Sequence, residues 1–295
     1  MPLPGVPNMT LVPLPRLMVE PLVRNALLED LGLAGDITSA AVIPEDHRST
    51  VVMAARQPGV IAGLDAAELA FQLVDPAIVL TRHLNDGAAA KPGEVIATIE
   101  GSSRGILTGE RTALNFLGHL SGIATVTAGI VAAIAGTKAS VACTRKTTPG
   151  LRILEKYAVR AGGGVNHRFA LSDAVLIKDN HVAIAGGVAE AIRRAKAGAG
   201  HMVKIEVEVD TLKQLREVME VGVDAVLLDN MTPDELREAV GLVAGRAITE
   251  ASGRVTPQTA GAIAASGVDL ISVGWLTHSA PTLDIGLDWK SNHGD

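Results

Sequence analysis

The sequence predicts an α/β protein in which a small antiparallel sheet carrying one helix precedes a closed or nearly closed α/β barrel. Three observations predict it. Residues 49–100 alternate short apolar runs (VVMAAR, GVIAGL, AIVLTRHL, EVIATIEG) with Gly, Pro and Asp, the punctuation of short antiparallel strands. From residue 139 the texture changes: ASVAC (139), AVLIK (174), VKIEVEV (203), AVLLD (225), AITEA (247) and LISVG (270) recur, each followed by helical sequence. The later runs are spaced by about 20 to 30 residues, the size of a βα unit, and near-continuous apolar runs belong to parallel strands covered on both faces.

The elements follow in order. The proline-rich start, residues 1–16, reads as a loose arm without an apolar signal core. A helix is expected over 21–30, another near 66–73 against the sheet, and a long, mostly helical stretch over 108–136. Its most apolar part, 122–136, is too short and too rich in Thr and Gly to span a membrane, and a buried helix is expected there. The alternating strands and helices of the barrel occupy the rest.

Composition excludes several functions. The 295 residues suit one large domain or two ordinary ones, and 47% hydrophobic content supplies a core. Aromatics are only 2% and the net charge is -6, which argues against base stacking and against a nucleic-acid partner. A single cysteine, Cys143, rules out an internal disulfide and a cysteine-based zinc cluster, so a reducing, cytoplasmic setting is expected. No G-x-x-x-x-G-K-[ST] loop is present, which disfavours ATP hydrolysis.

Against this acidic background, residues 144–168 (TRKTTPGLRILEKYAVRAGGGVNHR) hold six cations and one acid, Glu155. Arg145 and Lys146 follow an apolar run, and His167 and Arg168 follow the glycine triplet 162–164. Two such pairs around a glycine-rich turn suit a small polyanion. Arg152, Lys156 and Arg160 lie four apart and are expected to share one helix face, toward solvent or a partner subunit.

Each barrel run ends in a residue that chemistry uses: Arg145 with Lys146, then Lys178, Glu208, Asp229, Ser252 with Gly253, and Gly274. That rim is where α/β barrels carry their active sites. The cations Arg145, Lys146, His167, Arg168 and Lys178 suit carboxylates or phosphates. Glu208 and Asp229, on adjacent strands, suit a sugar diol or a hydrated Mg²⁺. Asp229 could instead cap the turn LDNMTPDEL, in which Thr232 and Glu235 form a capping box. Glu206 points the same way as Glu208 and could share its job. The loops EASGR (250–254) and SVGW (272–275) resemble the glycine-exposed phosphate cups of barrels. His278, one helical turn beyond Gly274, either reaches the same phosphate or packs.

Other candidates are weaker. His119, His167 and His181 have no tight ligand spacing, so zinc is not expected. Cys143 sits in an apolar run and reads as buried filler. Ser252 lacks the G-x-S-x-G elbow and reads as a hydroxyl donor to phosphate.

The segments EDLGLAGDITS (29–39), GVIAGLD (59–65), GERTALNFLGHLSGIAT (109–125), TRKTTPGLRILEKYAVRAGGGVNHR, LIKDNH (176–181), IEVEVD (205–210), VLLDNM (226–231), EASG (250–253) and ISVGWLTHS (271–279) resemble the quinolinate phosphoribosyltransferases. The resemblance runs from about residue 20 through nearly the whole chain, in order. It implies an N-terminal α/β sandwich domain and a C-terminal incomplete α/β (TIM-like) barrel. With it go boundaries at 1–16 for the arm, 17–120 for the sandwich, 121–280 for the barrel, and 281–295 for a segment returning to the N-terminal domain.

It also implies the substrates quinolinate and phosphoribosyl pyrophosphate, Mg²⁺, and the products nicotinate mononucleotide, pyrophosphate and CO₂. By matched motif, Arg145, His167, Arg168 and Lys178 would hold the quinolinate carboxylates. Arg111 would reach that pocket from the partner of a homodimer. Lys146 would contact the sugar-phosphate substrate, and Glu208 and Asp229 would hold the ribose hydroxyls and, through water, Mg²⁺. Ser252, Gly253, Gly274 and His278 would cup the 5′-phosphate. Two positions depart from the family pattern: Arg254 stands where a second glycine is usual, and Trp275 where a small residue is usual. Arginine would strain the loop if that position takes a positive φ; the tryptophan is expected to affect packing only. Two rivals remain open, a relative that uses another ring without decarboxylation and a non-catalytic anion-binding barrel.

Overall fold

A computed structural model describes residues 11–289; most of the expected arm lies outside the described residues. The first elements are α1 (Arg16–Leu31), α2 (Ile37–Val42), β1 (Arg48–Ala55), β2 (Gly59–Val60), α3 (Leu64–Val74), β3 (Val79–Arg82), β4 (Ala89–Ala90), β5 (Val95–Ser102) and α4 (Ser103–Ala133). Then come β6 (Ser140–Ala142), α5 (Arg152–Ala161), β7 (Val175–Ile177), α6 (Asp179–Ala185), α7 (Val188–Gly198), β8 (Ile205–Val209) and α8 (Leu212–Val221). The chain closes with β9 (Ala225–Asp229), α9 (Pro233–Val243), β10 (Ile248–Ser252), α10 (Pro257–Ala264), β11 (Leu270–Ser272), α11 (Trp275–His278) and β12 (Ile285–Trp289).

Among the described residues there are two compact units. One holds 11–128, 147–163 and 277–289; the other holds 129–146 and 164–276. The first therefore takes in an excursion, 147–163, that contiguous sequence boundaries do not separate from the barrel.

The first unit is built on an antiparallel sheet in the order β12-β1-β5-β3. Along β1, Val51, Met53 and Ala55 are fully buried, the period-2 face of a strand packed on one side. The C-terminal strand β12 pairs with β1 from Val51↔Trp289 to Ala55↔Ile285. In α1, Val19, Val23 and Leu27 recur every fourth residue and are buried. Expected over 21–30, α1 starts at Arg16 and carries Pro21 inside it.

The long helix α4 starts at Ser103 rather than 108, directly after β5. The buried Ser103 hydroxyl holds that start, within 2.6 Å of both His47 Nδ1 and Ser49 Oγ. By length and composition α4 could cross a membrane, but 61% of its most apolar window is buried in the protein, as in a core helix. Its glycines allow close approach: a Cβ on Gly122 would lie 2.1 Å from the Pro281 carbonyl oxygen.

One expectation for this unit is corrected. Lys156 is fully buried, as are Leu154, Glu155, Ala158 and Val159. The face of α5 marked by Arg152, Lys156 and Arg160 is thus no solvated stripe. The buried surface of α5 is wide and takes in Lys156 beside an acid.

The second unit is a six-stranded parallel sheet in the order β6-β11-β10-β9-β8-β7. The registers are regular: Val207↔Val226, Leu228↔Ala251 and Ile271↔Val141. No ladder joins β6 to β7 among the described residues, and the free edge of β6 is bridged by Val165, opposite Ala142. This is a barrel of six strands rather than eight, as the resemblance implied. Thr211, Thr232 and Thr256 cap α8, α9 and α10, each with a reciprocal partner three residues on, so β8, β9 and β10 are each followed by a defined helix start.

Candidate active site

The strand ends bring most of the predicted site residues to one rim in the second unit. Arg145 and Lys146 follow β6, Lys178 follows β7, Glu208 is the fourth residue of β8, and Asp229 and Ser252 end β9 and β10. Ser252 lies opposite Asp229 on one side and Ser272 on the other, so their backbones share a level. Gly274 comes two residues after Ser272.

The cationic part is compact. Arg168 has its pKa lowered by burial first and then by the charge of Arg145. Its Nη1 donates to the Ala174 carbonyl at 2.9 Å. Beyond it, Asp173 accepts the backbone N–H groups of Phe169 and Ala170 at 2.6 and 2.8 Å, which closes the turn that leads to β7. His167 Nε2 lies 2.8 Å from Glu206 Oε2, and its Nδ1 accepts the Arg168 N–H at 2.8 Å.

The anionic part differs from expectation in one respect. Glu206 and Glu208 do not share a job. Glu206 is buried and serves His167, while Glu208 accepts from Lys178 Nζ. Asp229 accepts from Asn230 Nδ2 at 2.6 Å and does not cap α9, a task Thr232 and Glu235 perform. Glu208 and Asp229 are half-buried carboxylates on neighbouring strands, hard oxygen donors of the kind Mg²⁺ takes through water.

The glycine cup is strained as well as open. Asn230, Arg254 and Ala244 are the non-glycine residues with positive φ among those described, at 55°, 50° and 48°. Two of them flank Gly253, whose own φ is +98° and whose absent Cβ would lie 2.3 Å from Asn230 Oδ1. Arg254 therefore does stand in a left-handed conformation, which costs a non-glycine residue about 1–2 kcal/mol. Trp275, expected only to pack, also ties this loop: its Nε1 donates to the Val255 carbonyl at 2.8 Å. A Cβ on Gly274 would sit 3.0 Å from Lys146 Cδ, so Lys146 lies across the second glycine of the cup.

Two predicted residues fall in the other unit. Arg111 is exposed on α4 and lines a cavity of about 600 Å³ with Asn25, Glu29, Asn115, His119 and Leu151. His278, exposed at the end of α11, lies 2.6 Å from Ser279 Oγ through its Nδ1. His119, set aside as a zinc ligand, is 2.9 Å from the fully buried Glu155, which also accepts the Thr148 N–H at 3.1 Å. Cys143 is buried, its Sγ 3.3 Å from Asn166 Oδ1.

Sequence reasoning missed Glu250. The sequence places it in the run AITEA and the loop EASGR, yet it is a buried carboxyl whose pKa burial, and then Glu206, push up to about 7. An acid at the centre of the strand ITEAS was the available signal.

Comparison with known proteins gives a consistent result. The chain matches the quinolinate phosphoribosyl transferase C-terminal domain over residues 123–288 and the N-terminal domain of the same family over 36–121. It is 47% identical over 272 residues to a nicotinate-nucleotide pyrophosphorylase [carboxylating] of Mycobacterium leprae, covering 90% of this chain and 95% of that one. A probable enzyme of the same name from Bacillus subtilis is 44% identical, with 92% and 93% covered. The solved nicotinate-nucleotide pyrophosphorylase of Francisella tularensis superposes with a TM-score of 0.91 at 38% identity, over 96% of this chain and all of the other.

Proposed function

The chain belongs to the quinolinate phosphoribosyltransferase family, and from that premise we propose that its rim transfers phosphoribosyl from phosphoribosyl pyrophosphate to quinolinate with decarboxylation. The products are nicotinate mononucleotide, pyrophosphate and CO₂, a step of NAD biosynthesis. The observation that carries this reading is the gathering of Arg145 and Lys178 with Glu208 and Asp229 at the strand ends of one sheet, with Arg168 three residues past the bridge of Val165 to β6. Guanidinium and ammonium groups in one set suit a dicarboxylate ring, whereas a simple anion receptor has no use for two acids on the same rim.

The roles follow from position. Arg145, Arg168 and Lys178 hold the two carboxylates and fix the ring, with His167 behind Arg168. Lys146, lying over Gly274, meets the phosphorylated sugar. Ser252, Gly253 and Gly274 offer backbone donors to its 5′-phosphate. Glu208 and Asp229 hold the ribose hydroxyls and a hydrated Mg²⁺, which when bound neutralises the departing pyrophosphate. Lys178 meets Glu208 through an ammonium group with three donors, so it can serve a substrate carboxylate as well.

The pyridine nitrogen carries its own lone pair, so no strong general base is needed. It attacks C1′ as the bond to pyrophosphate breaks and that electron pair leaves with pyrophosphate. The acidic pair on the rim stabilises the oxocarbenium-like ribose as one bond replaces the other. The C2–carboxylate bond then breaks, its electrons remain at C2 beside the cationic nitrogen, and a proton takes the place of CO₂. Holding the ring and excluding water is the protein's part in this second step.

The second unit's rim is completed by Arg111 of a partner subunit in a homodimer, which the exposure of Arg111 beside an open cavity supports. The reading is tested by incubating the protein with phosphoribosyl pyrophosphate, Mg²⁺ and either quinolinate or nicotinate. Pyrophosphate and CO₂ together, from quinolinate alone, support it. Pyrophosphate without CO₂ points to a relative using another ring, and neither product to an anion-binding barrel.

A further inference from the structure

The quinolinate reading employs Arg145 and Arg168 and leaves two buried acids behind them without a task. The Val165 N–H donates to Val141 O at 2.7 Å, and the Cys143 N–H donates back to Val165 O at 3.2 Å. That pairing fixes the chain on the free edge of β6. Two residues on, His167 meets Glu206 of β8 and Glu250 of β10, which are only 8% and 2% exposed.

The hydrogen bonds of the imidazole assign its proton. Nδ1 accepts the backbone N–H of Arg168 at 2.8 Å, and a nitrogen that accepts carries no hydrogen. The ring proton is therefore on Nε2, which donates to Glu206 Oε2 at 2.8 Å. Glu250 Oε1 is 3.8 Å from the same nitrogen, outside hydrogen-bond range, and has no hydrogen-bond partner among the described residues.

His167, Glu206 and Glu250 stand close enough to share an ion, each ligand atom within 4.8 Å of the others. A metal on Nε2 would push the ring proton to Nδ1, directly against the Arg168 N–H. The geometry is that of an orienting chain rather than a cation site.

Resting on the proposed quinolinate site, we infer that Glu206 is a positioning residue for it: Glu206 fixes the tautomer and orientation of His167, and His167 in turn pins the backbone of Arg168. Arg168 is then held at both ends, by His167 at its N–H and by the Ala174 carbonyl at Nη1, so that its remaining donors face the ligand in one orientation. His167 serves the dicarboxylate through Arg168, since both of its ring nitrogens are already engaged by the protein. Glu250 sits where it would capture Nε2 if the ring tilted away from Glu206.

The test combines kinetics with ¹⁵N NMR of the full-length, ¹⁵N-histidine-labelled protein, the His167 signals being assigned by their loss in His167→Gln. The wild type is expected to show a protonated Nε2 and an unprotonated Nδ1. Loss of a hydrogen bond to a charged group predicts that Glu206→Leu raises the quinolinate KM about 10- to 100-fold. The phosphoribosyl pyrophosphate KM should stay within about twofold, because that substrate lies at the other end of the rim. Glu206→Gln, whose amide oxygen still accepts from Nε2, should recover most of the quinolinate affinity. A proton on Nδ1 in the wild type overturns the inference, and so does equal loss for both substrates in the Leu and Gln variants. If Glu206→Leu does not fold, the wild-type spectrum and Glu206→Gln still decide. A wild type that turns over no quinolinate defeats the functional reading instead, while the spectrum still reports the tautomer.

Discussion

Replacing Glu250 by Gln removes one buried titrating group and leaves its shape nearly unchanged. Its carboxyl is pushed from an ordinary value of 4.5 up to about 7, by burial first and the charge of Glu206 second. In the unfolded chain Glu250 ionises near 4.5, while in the folded protein it keeps its proton up to about 7. Between those values the folded state binds more protons, so the wild type loses stability as pH rises. A shift of about 2.5 pH units at about 1.36 kcal/mol per unit makes this loss on the order of 3 kcal/mol. Gln at 250 does not titrate. The stability of Glu250→Gln relative to wild type should therefore climb between about pH 4.5 and 7 and level off above. Urea denaturation of both proteins across that range, with midpoints compared at each pH, measures it. A difference that stays constant with pH would refute the reasoning, because it would mean Glu250 titrates alike in both states.

Four more predictions concern the rim. Arg254→Gly relieves a left-handed arginine and should raise stability by up to about 1 kcal/mol after the entropy of glycine is counted, seen as a higher melting temperature; a lower one contradicts the strain. Gly253→Ala forces a Cβ against Asn230 and should raise the phosphoribosyl pyrophosphate KM at least about tenfold, while an unchanged KM would remove this loop from the phosphate site. Arg145→Ala should abolish quinolinate binding in calorimetry yet spare much of the affinity for the phosphoribosyl donor, and equal loss of both would undo the division of the rim. Mixed dimers of Arg111→Ala and Lys178→Ala should regain partial activity if sites are shared between subunits; no recovery despite confirmed subunit exchange counts against sharing.

What the sequence could show depended on range. The barrel was legible because apolar strands and capped helices are local patterns, and the strand-end residues Lys178, Glu208, Asp229 and Ser252 follow from counting along them. The strain at Arg254 was legible as a question, and only the backbone could answer it with a φ of 50°. Three features were out of reach. The His167–Glu206–Glu250 cluster joins β8, β10 and the edge of β6, and no local spacing encodes that meeting. The burial of Lys156 contradicts its helical spacing, because α5 is buried over more than one stripe. Glu206 and Glu208 look equivalent by strand periodicity, yet one is taken by His167 and the other by Lys178.

The central claim is that ring transfer and loss of the 2-carboxylate occur together at one dicarboxylate site. Quinolinate labelled with ¹³C at the 2-carboxyl, and separately at the 3-carboxyl, tests it most directly when CO₂ and pyrophosphate are followed in the same reaction. One labelled CO₂ should appear per pyrophosphate from the 2-carboxyl, none from the 3-carboxyl, and none without phosphoribosyl pyrophosphate. Label released from the 3-carboxyl, or pyrophosphate formed without CO₂, would contradict it.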